Sequence, residues 1–480
     1  MKEHKRILPL LLAVLMLLSL FSSCKSGNHG STVDTEDPSN DKTEESYDYG
    51  GRTVRVMERE LSDSNNIYYE INTIEDKTDV INDALVRRNS KIESMFNIEL
   101  VSDILSPING TRRTEVEKLI LANDQQNAYD FLMDYGGNTM YYSINGYVRD
   151  LNQFNGMDFN NEWWYTDIME DTAIDGKNTF AVGDICTASY TSTCVLFFNK
   201  SLAQQYEIED CYQKVFDGTW TFEEFSTVGL EVTRDLDGDG EMDQFTFAAA
   251  NWNYQPYFYG RGYKLLNKDA NGNPSFGALS EPQYDALKEI MDLVNSEYCW
   301  YLGNHPNDST TDLFTDSKAL FWVQLMVGAG RLRSATFDFG VLPLPKRDIA
   351  QKEYISYLHT KTSLVSVPIT NTATDETALL LEKMCQQSNN YLKPAYFDML
   401  FDGIIARDPE TMEMLDIIYD NVFMDMVQPL GQVDVSVDIV LRNLMDMDMG
   451  DSVKTQWTKI QDKDNKILED VIKAYQSKVH

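Results

Sequence analysis

The chain has 480 residues, 42% of them hydrophobic and 11% aromatic, and a formal net charge of −35 at pH 7. So acidic a chain lacks the basic footprint that nucleic acid requires, and it gains nothing from an anionic leaflet. Its length exceeds one ordinary domain, and its apolar content is enough for two cores.

The N-terminus opens with the basic residues Lys2, Lys5 and Arg6, followed by an uncharged apolar run from Ile7 to Phe21 and then Ser22, Ser23 and Cys24. A basic head, an apolar stretch and small residues before a cleavage point predict a signal peptide over 1–23. The run is shorter than the ~20 apolar residues of a membrane span, and Pro9 interrupts it. Leu20-Phe21-Ser22-Ser23-Cys24 resembles a bacterial lipobox, with Phe21 an uncommon occupant of its place. That resemblance implies a diacylated Cys24, and two acyl chains, at about 0.8 kcal/mol per buried methylene, anchor a protein where one does not. Residues 24–49 are rich in Ser, Thr, Asp, Glu, Asn and Gly, have little to bury, and are expected to form a disordered tether.

Beyond the tether, Thr53–Met57 alternates as a strand. Asp79–Phe96 predicts a helix with Ile81, Ala84, Leu85, Ile92, Met95 and Phe96 on one face and Thr78 as its cap. Ile98–Val101 is a strand, Glu115–Asn123 a helix and Tyr129–Met133 a buried strand. Cys194–Phe198 is a further apolar strand. Thr221 and Glu224 form a capping box, with Trp220 and Phe225 as the hydrophobic staple around it. Gln244–Ala249 is a strand, Ser280–Val294 a helix with its own box at Ser280 and Gln283, and Ala319–Phe321 a strand. Phe339–Leu342 and Leu364–Ile369 are strands, and Val453–Tyr475 is a closing amphipathic helix. Short apolar strands alternating with helices predict an α/β class with parallel pairs.

Asp235, Asp237 and Asp239 recur at alternate positions before Gly240, with Glu241 and Asp243 following. That is the spacing of an EF-hand-type loop, in which alternate carboxylates converge on Ca2+ and the glycine makes the turn. Position 12 holds Thr246 in place of the usual bidentate Glu, so the predicted structural calcium site is one ligand short. Besides Cys24 there are Cys186, Cys194, Cys211, Cys299 and Cys385, an odd number without a CxxC, which fits buried thiols better than a disulfide framework or a zinc site. The sequence contains no P-loop, HExxH or GxSxG, so no enzyme motif competes for the reading.

Five stretches, in order, resemble the extracellular solute-binding proteins of the family that includes the maltose-binding proteins. They are Thr78–Ala84 running to Asn89, Tyr129–Asp134 followed by Gly146–Asn152, Val195–Leu202 with its Phe-Asn-Lys strand end, Phe339–Lys346, and Tyr391–Leu415. The resemblance implies a two-lobed periplasmic-binding-protein-like α/β fold of class II type, with a ligand cleft between the lobes. The chain would cross three times, near Asp184–Ser192, Thr336–Gly340 and Ile404–Asp408. Lobe 1 would then comprise 50–186 plus 340–404, and lobe 2 would comprise 190–336 plus 409–480. The implied function is that of a monomeric, non-enzymatic subunit of an ABC importer. It would be lipid-anchored on the outer face of the bacterial cytoplasmic membrane and would deliver a small solute, an oligosaccharide, to its permease. Alternatives are a sensory binding subunit without transport and a secreted carbohydrate-active enzyme.

In open α/β sheets ligands lie beyond the carboxyl ends of strands. That rule points to Asp134, Tyr135 and Asn138, which offer a carboxylate, a ring and an amide, in a loop that contacts sugar in similar proteins. It also points to Trp252 and Tyr254 after the strand ending at Ala249, and to Trp322 and Gln324 after Ala319–Phe321. Trp163 and Trp164 are divided between cleft and core, whereas Trp300 and Trp457 are expected in the core.

Overall fold

A computed structural model describes residues 45–480 except 63–66, 76, 78, 125–127, 306–307 and 404–408. The predicted signal peptide, Cys24, Thr78, the third crossing and all but the end of the tether lie outside the described residues. Gly50 and Gly51, at φ 70° and 71°, turn the chain into β1 (Arg52–Glu58) in a backbone region that favours glycine. Asp79 caps α1 (Val80–Phe96) by accepting from the Asn82 amide, and Asn97 ends it in the left-handed conformation. The face carrying Ile81, Ala84, Leu85, Ile92 and Phe96 is buried as its spacing predicts. β2 (Ile98–Ile104) pairs parallel to β1.

α2 (Asn109–Ala122) starts a turn and a half earlier than its apolar face announces. Only Val116 and Ile120 show the helical spacing, whereas its first half buries a charged residue, Arg112. β3 (Phe131–Tyr135) pairs parallel to β1 and leads without a loop into α3 (Gly136–Asn145). α4 (Thr166–Thr172) follows, and α5 (Thr187–Thr191) leads on to the strands of the second sheet.

The second lobe begins with β4 (Cys194–Asn199). Thr221 caps α6 (Phe222–Thr227), and the Trp220 and Phe225 rings meet at 5.9 Å, as the staple requires. β5 (Phe245–Ala249), α7 (Tyr254–Gly260), α8 (Glu281–Val294), β6 (Cys299–Tyr301), β7 (Ala319–Leu325) and β8 (Phe339–Leu342) complete the sheet, in the order β6-β5-β7-β4-β8. β5 is parallel to β6 and β7, while β4 runs antiparallel to β7 and β8. Val341 pairs with Phe197 in this second sheet, so the strand expected to open the return to lobe 1 at 340 closes lobe 2 instead. An apolar run buried on both faces fits either sheet, and only the pairing decides.

The chain returns through β9 (Ser356–Tyr357) to β10 (Ser363–Ser366), which pairs antiparallel to β3 and gives the first sheet the order β10-β3-β1-β2. α9 (Thr374–Gly403) packs on α1, where Arg88 Nη1 donates to Ser388 Oγ at 3.1 Å. α10 (Pro409–Asp420) packs on β8, and β11 (Val422–Phe423) pairs with β9. α11 (Val427–Leu430), α12 (Val437–Asp446) and α13 (Val453–Lys478) end the chain.

α13 reaches both lobes. Near its start Trp457 Nε1 donates to the Gly277 carbonyl at 2.8 Å, and near its end Lys177 Nζ holds the carbonyls of Tyr475 and Val479 at 2.8 and 2.9 Å. Cys186, Cys194, Cys211, Cys299 and Cys385 are all buried free thiols. Among the described residues no helix is long and apolar enough to cross a membrane.

Candidate functional site

The carboxyl ends of β1, β3 and β5 converge on residues 359–361 through Arg59, Gly136 and Trp252, the side on which the strand-end rule places a ligand. Arg59, the residue after β1, is half-buried and donates through Nη2 to the Lys361 carbonyl. Gly136 N donates to the Thr360 carbonyl at 3.3 Å, and the Thr360 hydroxyl donates to Gln428 Oε1. His359 joins the crossing segment through its N–H, which donates to the Ser192 carbonyl at 3.0 Å. Its Nδ1 accepts from the Lys361 N–H at 3.0 Å, which leaves the proton of the neutral ring on Nε2. Burial, aided by the charges of Lys361 and Arg442, pushes the His359 pKa down to about 3. Trp252 meets the His359 ring edge-on at 5.9 Å.

Gln432, on the turn after α11, is met from α2 and from α3 of the first lobe. Arg113 Nη1 donates to Gln432 Oε1 at 3.2 Å. At Gly137 a Cβ would lie 2.6 Å from the Tyr135 ring and 2.8 Å from the Gln432 side chain, so the approach needs a residue without one.

The predicted ligand residues divide. Tyr135 and Trp252 stand half-buried at the cleft, and Gln324 is half-buried at the hinge end of β7, its Oε1 accepting from the Leu325 N–H at 2.9 Å. Asp134 is fully buried and committed to the first lobe. Its Oδ1 accepts from Arg112 Nε and the Tyr135 N–H, both at 2.7 Å, and its Oδ2 from Tyr142 Oη at 2.9 Å and Asn138 Nδ2 at 3.1 Å. Asp134 and Asn138 are therefore the socket of the buried Arg112, with no lone pair turned to a solute. Tyr254 is buried, donating its hydroxyl to Asp438 Oδ1 at 2.6 Å. Trp322 sits inside the second lobe with its ring 5.3 Å from those of Phe197 and Phe314, because its strand is central and covered on both faces. Trp163 and Trp164 both donate to Glu382, at 3.0 and 2.8 Å, and pack in the first lobe. Sequence reasoning missed His359, Thr360, Lys361, Gln428 and Gln432, which lie on irregular or very short segments without a periodic signal. Arg59 follows β1 directly, at a strand end of the kind the rule marks.

Two buried carboxylates hold the first crossing. Glu58 accepts from the N–H groups of Glu70, Ile71 and Asn72 at 2.7, 3.0 and 2.7 Å. Glu70 in turn accepts from the N–H groups of Thr187 and Ala188, at 2.5 and 3.2 Å, at the start of α5. Burial raises the pKa of both.

In the Asp-rich loop, carboxylate oxygens of Asp235, Asp237 and Asp239 lie within 4.8 Å of one another. Gly238 and Gly240, at φ 83° and 97°, make the turns, and their N–H groups donate to Asp235 at 2.6 and 2.8 Å. Asp239 Oδ1 accepts from the Glu241 N–H, and Asp243 Oδ2 from the Leu236 N–H, both at 2.8 Å. Thr246 is buried in β5 and donates to the Gly229 carbonyl at 2.8 Å, so the twelfth position supplies no carboxylate. A separate recess of about 340 Å³ lies between α4 and β11. Its lysines are already engaged, Lys264 with Asp171 at 2.6 Å and Lys268 with the carbonyls of Glu170 and Ala173 at 2.8 and 2.6 Å.

No protein-family model and no curated protein matches the chain. Solved structures do match it. A cyclic α-maltosyl-1,6-maltose binding protein from Arthrobacter globiformis is 13% identical with a TM-score of 0.60, over 88% of this chain and 100% of its own. UgpB from Mycobacterium tuberculosis, in complex with glycerophosphocholine, is 15% identical with a TM-score of 0.56, over 81% and 95%. An ABC substrate-binding protein from Listeria monocytogenes, in complex with cycloalternan, is 12% identical with a TM-score of 0.50, over 89% and 98%. At such identities the likeness is one of fold, a two-lobed α/β architecture.

Proposed function

We propose that this chain is the extracytoplasmic solute-binding subunit of an ABC import system. It holds a small polar solute, an oligosaccharide, between its lobes and delivers it to a membrane permease. The observation that carries the reading is the meeting of the two lobes at one seam, where Tyr135, Trp252, His359 and Gln428 place rings beside polar groups. Rings stack on the apolar face of a sugar while hydroxyl, amide and imidazole groups exchange hydrogen bonds with its rim. A solute that touches both lobes only when they are together stabilises that state, and binding becomes a population shift. The protein acts as a monomer and holds its solute without altering it. Lipidation of Cys24 would keep it at the outer face of the cytoplasmic membrane.

Calcium in the Asp235–Asp243 loop belongs to the same proposal. Three converging carboxylates fit a hard cation, and the missing bidentate ligand fits weak rather than tight binding.

The test is thermal unfolding against a panel of oligosaccharides, with recovery of the sugar afterwards. A sugar at about 100 times its dissociation constant stabilises by roughly 2.7 kcal/mol. The expected result is a raised midpoint with the sugar recovered intact. Recovery of cleaved sugar would make the protein an enzyme, and a flat response to every sugar would refute the carbohydrate reading.

A further inference from the structure

The protein is strongly acidic, yet its cleft gathers cations. Arg59 follows β1 in the first lobe, and its Nη2 donates to the backbone of Lys361. Arg59 Nε is buried without a hydrogen-bond partner. Arg331 lies on Met326–Ser334, the 3-10 segment leaving β7 in the second lobe. That segment is fixed beside 358–361 because Met326 N donates to the Thr193 carbonyl at 2.8 Å while Thr193 bridges to Leu358. Arg331 Nη1 donates to Thr311 Oγ1 at 3.4 Å, and Arg331 and Arg59, one from each lobe, both act on Lys361 as like charges. Its side chain and that of Arg331 are exposed, and among the described residues none of the three has a carboxylate partner within ion-pair distance.

The nearest acidic groups, Asp134 and Glu70, act as counter-charges to Arg59, whose pKa burial nonetheless lowers, and neither is among the charges acting on Lys361. Asp134 is saturated by Arg112, Asn138, Tyr142 and the Tyr135 N–H, and Glu70 by the N-terminus of α5. Desolvation of its amine and the like charges of Arg59 and Arg331 hold Lys361 below the usual lysine range, although part of its side chain is exposed.

We propose that the solute is anionic, an acidic oligosaccharide whose charged oxygens bind Lys361, Arg59 and Arg331 while its rings lie against Tyr135 and Trp252. The proposal rests on the solute-binding reading above and narrows its substrate class. An anion bridging Arg59 and Arg331 would also draw the lobes together, coupling recognition to closure.

The experiment is titration calorimetry on the full chain with matched sugars. The probes are an oligogalacturonate, its neutral methyl ester, a sulfated and a phosphorylated oligosaccharide, and a neutral malto-oligosaccharide. The expected result is that an acidic sugar binds about tenfold or more tighter than its neutral counterpart, the value of one charge-assisted hydrogen bond, and that added salt weakens it. Lys361→Gln and Arg331→Gln should each remove most of that preference, while Lys473→Gln on the far face of α13 should not. Carboxylate, sulfate and phosphate probes identify which anionic group is preferred. Equal binding of acid and ester, tighter binding of the neutral sugars, or an undiminished preference in Lys361→Gln overturns the anion proposal and leaves the solute-binding reading intact. Silence from every sugar, charged and neutral, overturns the anion proposal together with the carbohydrate reading.

Discussion

His359 sits in the seam between the lobes as a neutral ring, and burial there makes its protonation unfavourable. With the pKa pushed down to about 3 in the folded protein, the unfolded chain binds the extra proton first. Its contribution to stability is therefore full above pH ~6.5 and falls as the pH drops from there toward 3. Asp425 runs the opposite way. Burial raises its pKa to about 7, so its contribution is full below pH ~3.9 and is lost as the pH rises through 7. Chemical denaturation across pH 4–8 should show a shallower acid slope for His359→Gln and a shallower alkaline slope for Asp425→Asn. An unchanged profile in either variant would place its titration elsewhere. Asp134 marks what a sequence leaves hidden at this scale. A carboxylate after a strand has the look of a ligand contact, and nothing along the chain reveals that Arg112, 22 residues earlier, fills it. Arg112→Met should cost about 3–5 kcal/mol, because it leaves a buried carboxylate unpaired. Double substitution with Asp134→Leu should recover much of that loss in urea melts.

Elements declare themselves when local chemistry fixes both of their ends. α8 has Ser280 and Gln283 as a reciprocal box, and α6 has Thr221 with the Trp220–Phe225 staple, and each forms where the sequence places it. α2 begins before its apolar stripe because a tertiary partner supports its first turns, and β8 changes lobes because two-faced burial gives no register of its own. The loop before β5 is legible as spacing and is built as a turn by Gly238 and Gly240. Whether it holds calcium is decided by a melt. Millimolar Ca2+ should raise the midpoint by a few degrees through linkage, EDTA should reverse it, and Asp235→Asn should abolish it. No difference between Ca2+ and EDTA would leave the loop an acidic turn.

The two-lobed plan was legible because five ordered stretches span the chain, whereas the cleft's own lining was not. His359, Lys361, Gln428 and Gln432 converge only after both lobes are built, from segments far apart in sequence. Gly137 tests closure of the whole molecule. Since a Cβ there would press on Tyr135 and Gln432, Gly137→Val should displace Gln432 and hold the lobes apart. Small-angle scattering should give a larger radius of gyration for the variant, and its affinity for any solute should fall about tenfold or more, since the competent state becomes rare. Equal radii and equal affinity would show that the lobes meet by another route.

The last helix adds a mechanical condition to that motion. At 26 residues α13 is a rod about 39 Å long, pinned to the second lobe through Trp457 and to the first through Lys177. A rod fastened on both banks behaves as a tie-bar. While both pins hold, the banks can roll about the bar but cannot draw straight apart, so the swing available to the cleft is a twist whose axis is set by the C-terminus.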